Sequence, residues 1–117
     1  MPPKKQTKAP TGHASNYKTG IRAENKVAND YKKKGFNVVQ SAGSRGAADL
    51  KCTKNNTTHH VQVKSSTVIN NPPISNQAIG RLKSSATRNN ATAVIAKVGK
   101  SNDTKITYAK TGNAVKL

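Results

Sequence analysis

A chain of 117 residues with 21 Lys plus Arg against 4 Asp plus Glu has room for one small domain and excludes a large multidomain enzyme. It holds no apolar run of about 18 residues to span a membrane, and the segment Met1 to Tyr17 lacks the apolar stretch of a secretory signal. The single cysteine, Cys52, excludes an internal disulfide and no Cys/His cluster offers a zinc site, so the expectation is an intracellular, cytoplasmic protein.

Residues 1–17 are Pro, Lys, Thr and Ser with almost nothing apolar, which predicts a disordered basic arm ahead of one domain over 18–117. A first helix is predicted over about 19–34. Thr19 caps it, Ile21, Val27, Ala28 and Tyr31 form its apolar stripe, and Lys32 to Lys34 followed by Gly35 close it. Phe36 to Gln40 reads as a short strand and Ser41 to Gly46 as a Gly/Ser loop. Ala48 to Lys54 and His59 to Ser65 read as two strands around a polar turn, Asn55 to Thr58, and Asn70 to Pro73 as a loop. Ser75 caps a second helix over about 76–88 whose buried stripe is Ala78, Ile79, Leu82 and Ala86, with Asn89 and Asn90 ending it. Thr92 to Val98 is a strong strand and Lys105 to Ala109 a weaker one. The order α-β-β-β-α-β-β predicts an α/β fold, a mixed sheet flanked by helices. Leu, Ile, Val and Phe make up only about one residue in six, so the core is thin and suits a protein that pairs with a second copy.

The formal net charge of +17 points to polyanions, nucleic acid first. In such a protein each acid is informative, and there are four: Glu24, Asp30, Asp49 and Asp103. If Asn55 and Asn56 centre the turn, Leu50 faces Val61 and Asp49 faces Gln62. Alternation then puts Leu50, Cys52, Val61 and Val63 on an apolar face and Asp49, Gln62 and Lys64 on the other, gathering a carboxylate, a carboxamide oxygen and an ammonium. At about 100° per residue Glu24 lies about 20° from Tyr31 and about 40° from Ala28, inside the apolar stripe and aimed at the sheet.

Glu24 on a first helix, then Gly43-Ser44-Arg45-Gly46-Ala47-Ala48-Asp49-Leu50, then Val61-Gln62-Val63-Lys64, resembles the PD-(D/E)XK nuclease superfamily, and within it the short archaeal and viral Holliday junction resolvases. The Ile74-Ser75…Ile79…Leu82 helix and the Ala93-Val94-Ile95-Ala96 strand are similar to that family's core. The resemblance implies a restriction-endonuclease-like sheet, Mg²⁺-dependent hydrolysis of DNA phosphodiesters (Mn²⁺ able to substitute), branched DNA as substrate, a homodimer, and a place in recombination and repair. It implies that Asp49 binds the metal, that Glu24 acts through the metal or its water, that Val63 offers a backbone carbonyl, and that Lys64 orients the attacking water. Gln62 departs from the pattern, where Glu or Asp is usual, and offers a neutral carbonyl oxygen that weakens metal affinity.

Ser44 and Arg45 of the Gly-flanked loop, Lys4, Lys5 and Lys8 of the arm, and Arg22 of the helix are candidate DNA contacts. His59 and His60 read as surface residues, while Cys52 and Tyr31 read as core. With so few aromatics, contacts should run mostly to phosphates. Two other readings compete: a sequence-recognising homing or restriction-type nuclease, and a non-enzymatic architectural protein, which has no reason to bring Glu24 and Asp49 together.

Overall fold

Small and apolar residues recur at i, i+4 and i+8 along the first helix, and Ala23, Val27 and Tyr31, with Ala28 beside them, are buried there. The computed structural model describes residues 12–40, 48–100 and 103–117. Helix α1 spans Gly12–Lys33, so it starts well ahead of the expected Thr19. Residues 12–17 of the expected arm are its first turns, while residues 1–11 lie outside the described residues. Helix growth is cooperative, so once a packed segment is helical each added residue costs little. Ile21 is 41% exposed and Ala23 takes its place in the stripe. Six residues at about 100° each put Ile21 about 120° from Val27. The helix stops at Gly35, whose φ of 91° only glycine adopts without strain, and the Lys54 ammonium donates to the Lys34 carbonyl at 2.7 Å.

Strands β1 (Asn37–Gln40), β2 (Leu50–Lys54), β3 (Thr57–Ser65), β4 (Thr92–Val98) and β5 (Thr104–Tyr108) form one five-stranded sheet in sequence order. The loop expected over Ser41 to Gly46 lies outside the described residues. The β2–β3 hairpin has the expected register, Leu50 opposite Val61. Its turn is tighter than expected: Thr57 and Thr58 pair with Lys54 and Thr53, and Asn55 carries the positive φ of 55°. β3 and β4 are parallel and need a crossover, supplied by α2 (Asn76–Arg88). Ser75 is its N-cap, the hydroxyl accepting from the Ala78 amide at 3.1 Å. β5 returns antiparallel to β4, and the tail folds back through Val115 N donating to the Ile106 carbonyl at 2.9 Å.

The central strand β3 is covered on both faces. Leu50, Cys52, Val61, Val63, Val94, Ala96 and Val98 pack with α1. Burial pushes the Cys52 thiol up to about 12, so it behaves as a small apolar residue. On the other face Leu82 and Ala86 of α2 are buried. His59 and His60 are therefore not surface residues: they are 5% and 4% exposed, because adjacent positions on a doubly covered strand each point into a packed layer. His59 meets the α1 side, its Nδ1 hydrogen-bonded to the Tyr31 hydroxyl at 2.9 Å amid the rings of Tyr31, Phe36 and Tyr108. His60 meets the α2 side, where Ser85 Oγ lies 3.4 Å from its Nδ1 and its buried Nε2 has no partner among the described residues. Among the described residues no helix is long and apolar enough to cross a membrane.

These histidines make stability pH-dependent. Burial lowers both below the ordinary 6.5, and Lys51 lowers His60 further. A group whose folded value is depressed stabilises the fold above its unfolded value and loses that stability as pH falls through the folded one. The melting temperature should therefore drop more steeply between about pH 7 and about pH 5 for the parent than for His60→Asn, measured by calorimetry. Parallel curves would mean that His60 protonates freely in the folded state.

Candidate active site

The site is built where the β2–β3 ladder comes apart. Leu50 and Val61 are the last ladder pair. One residue earlier, the Asp49 amide donates to the Val61 carbonyl at 2.8 Å, and its carboxylate Oδ2 accepts from the Val63 amide at 2.8 Å. The carboxylate thus satisfies a backbone donor that a continuing strand would have paired, and its orientation is set by main chain on both sides. Asp49 is 7% exposed. Burial pushes its carboxyl above the ordinary carboxylate range, against the pull of the Val63 amide and the Lys64 ammonium.

Glu24 reaches the same place from α1. It is half-buried, and its carboxyl is raised first by burial and then by the charge of Asp49. The two acids therefore feel one another, as do Asp49 and Lys64. Gln62 and Lys64, alternate residues of β3 and both half-buried, pair across the sheet with Ile95 and Lys97. Glu24, Asp49, Val63 and Lys64 are brought together by three elements, with Gln62 one position from Val63. Arg22 is exposed on α1 two residues before Glu24. Lys4, Lys5, Lys8, Ser44 and Arg45 lie outside the described residues. Asp30 sits away from the site, 3.6 Å from Lys26, and Asp103 is exposed.

Sequence reasoning missed how α1 is held. Gln40 at the end of β1 donates from Nε2 to Asn25 Oδ1 at 3.1 Å, tying the helix to the sheet one residue from Glu24. No periodicity signals a pairing between two exposed amides fifteen residues apart; only the adjacency of Asn25 to Glu24 pointed there.

Among the described residues no three His, Cys, Asp or Glu side chains converge, so the site is a two-acid one. Its two carboxylates are hard oxygen donors. Two partly desolvated acids, Glu24 raised further by the charge of Asp49, have an electrostatic need for a cation, and Mg²⁺ keeps several waters, so few protein ligands suffice. The residues present fit the ion.

Residues 22–115 match the profile of a domain of unknown function, DUF8840. The chain belongs to the DUF8840 family. Its DUF8840 domain shares its fold with Hjc, a Holliday junction resolvase from the archaeal hyperthermophile Archaeoglobus fulgidus, with a TM-score of 0.69 at 18% identity over 83% of this chain and 78% of that one. This DUF8840 protein thus has the fold of that resolvase, the α/β architecture expected from its element order. Among curated proteins no sequence matches the chain significantly.

Proposed function

We propose that the chain is a Mg²⁺-dependent DNA endonuclease selective for branched duplexes, acting as a homodimer from a single catalytic domain that follows a basic arm. The observation that carries this reading is the convergence of Glu24, Asp49 and Lys64 where the β2–β3 ladder ends. A protein that merely coats nucleic acid gains nothing from burying a carboxylate at 7% exposure and setting a second acid beside it. The shared fold with a Holliday junction resolvase supports the substrate class, and the net charge of +17 supports a polyanion.

Asp49, with Glu24, the Gln62 side-chain oxygen and the Val63 carbonyl, would hold the ion. What the ion supplies there is polarisation of a phosphate oxygen and activation of water. The protein's own part is positional and electrostatic. The Val63 amide fixes the Asp49 carboxylate so that it need not reorganise during reaction. The Lys64 ammonium orients the attacking water and offsets charge gathering on the phosphate oxygens as the P–O bond to the leaving nucleotide breaks. Exposed cations such as Arg22 hold neighbouring phosphates without reading sequence.

The Gln62→Glu variant tests the proposed ligand set. A carboxylate in place of the carboxamide adds charge to the donor set, so the Mg²⁺ concentration for half-maximal cleavage should fall, by about tenfold if the gain is about 1.4 kcal/mol. Turnover is not bound to follow, because tighter metal binding need not favour the transition state over the ground state. A Mg²⁺ titration that overlays the parent's places Gln62 outside the ligand set.

A further inference from the structure

The segment following Lys64 is built to hold apolar side chains out in solvent. Ser66 N donates to the Val98 carbonyl at 3.0 Å, and Lys100 N donates to the Ile69 carbonyl at 3.0 Å. The Ser66 hydroxyl accepts from the amides of Val68 and Ile69, both at 3.1 Å. Lys97 Nζ reaches Asn71 Oδ1 at 3.2 Å. Gly99 permits the closest approach: a Cβ there would meet the Asn70 backbone at 2.6 Å. Residues 66–71 are thus clamped to the end of β4. Yet Val68 is 75% and Ile69 46% exposed, an adjacent aliphatic pair paying the hydration cost of apolar surface.

Their setting says what they meet. β3 and β4 are parallel, so this loop leaves the same end of the sheet as Asp49 and Lys64. Val68 is four residues from Lys64, within about 14 Å along the chain. Lys97 and Lys100 are both bonded to this loop, and Lys64 lies opposite Lys97 on the strand that leads into it, so a second copy of this cationic chain is a poor occupant and a polyanion a good one. An apolar tip inside a cationic rim fits a base step whose flanking phosphates meet the lysines. Tyr31 is buried and Phe36 and Tyr108 are partly buried, so none of these three rings is exposed for that task.

We propose that Val68 and Ile69 form a wedge that enters an opened base step beside the scissile phosphate, so that the site selects DNA that unstacks easily, as at a branch point. The proposal rests on the nuclease reading above and adds how its substrate is chosen. Wedge residues work by unstacking bases and bending the duplex, and a branch point has already lost part of that stacking. A rigid loop suits the role, because the clamp prevents the aliphatic pair from folding back onto the protein.

The test uses the full chain in chelator, with a four-way junction carrying 2-aminopurine at the branch point, read at saturating protein so that affinity does not enter. The parent should raise the fluorescence about twofold or more as the base unstacks. Val68→Ser/Ile69→Ser should lose most of the rise, and Val68→Ile/Ile69→Val, which keeps apolar bulk, should retain it. A serine variant that matches the parent, or a parent that binds without any rise, overturns the wedge and leaves the nuclease reading standing. A serine variant that instead dissociates a parental dimer in sedimentation also overturns it, because the pair is then a subunit contact. A parent that neither binds nor, with Mg²⁺, cuts the junction overturns the nuclease reading and the wedge with it.

Discussion

Asp49→Asn should abolish Mg²⁺-dependent cleavage, by at least about a thousandfold, while DNA binding stays equal or tightens. Asn keeps the shape and retains an oxygen that can accept from the Val63 amide, the 2.8 Å contact that pins the native carboxylate. What it lacks is the charge that draws the ion. The same substitution should not destabilise the protein. Burial holds the Asp49 carboxyl above its ordinary value. A raised carboxyl binds its proton more tightly in the folded state, so stability falls as pH rises through the interval between unfolded and folded values. At neutral pH the ionised group therefore costs stability, and Asn removes that cost. The melting temperature without metal should be equal or higher, and added Mg²⁺ should raise it for the parent alone. Cleavage by Asp49→Asn at parental rates, or a Mg²⁺ shift equal in both proteins, removes Asp49 from the metal site. A large loss of stability would instead show that the carboxylate's charge serves the fold.

Lys64→Ala should reduce single-turnover cleavage by about two to three orders of magnitude with little change in the dissociation constant for DNA. One cation among 21 is a small part of the phosphate-binding field, whereas at the site it is the charge acting on Asp49. Lys64→Arg should recover only part of the rate, since a planar guanidinium cannot stand where a compact ammonium stood. The separation of the two readouts is what matters. A variant that loses binding and cleavage in proportion makes Lys64 an ordinary phosphate contact, and one that cuts normally has no role at the site.

The parts of this molecule that were legible in the sequence are those set by local rules. Asn55 and Asn56 centre the hairpin, so the Leu50–Val61 register follows from the turn. Ser75 caps α2 because its hydroxyl can reach the Ala78 amide three residues on. Glu24 reads as aimed at the sheet because it lies inside an apolar helical stripe, and it is half-buried there, its carboxyl raised by burial and by the charge of Asp49. What was not legible depends on layers meeting. His59 and His60 look like surface residues until α1 and α2 close on opposite faces of β3, and nothing in a run of Thr and His announces that. Ala23 displaces Ile21 from the stripe because helical phase, not hydrophobicity, decides which side faces the sheet. The bond from the Val63 amide to the Asp49 carboxylate is also invisible in sequence, because it exists only where a ladder stops. The proposed wedge, Val68 and Ile69, falls between the expected strand ending at Ser65 and the expected loop starting at Asn70, where the sequence reading placed no element.

The central claim is that this positively charged fold cuts branched DNA at the Glu24–Asp49–Lys64 site. The direct measurement is incubation of the full chain with a four-way junction, a linear duplex and a single strand, each with Mg²⁺ or with chelator, resolved on a denaturing gel. The account predicts cleavage of the junction with Mg²⁺, faster than of either other substrate, and none in chelator. Binding of all three without cleavage, in Mg²⁺ and in Mn²⁺ alike, would contradict it and leave a protein that packages nucleic acid on a nuclease fold.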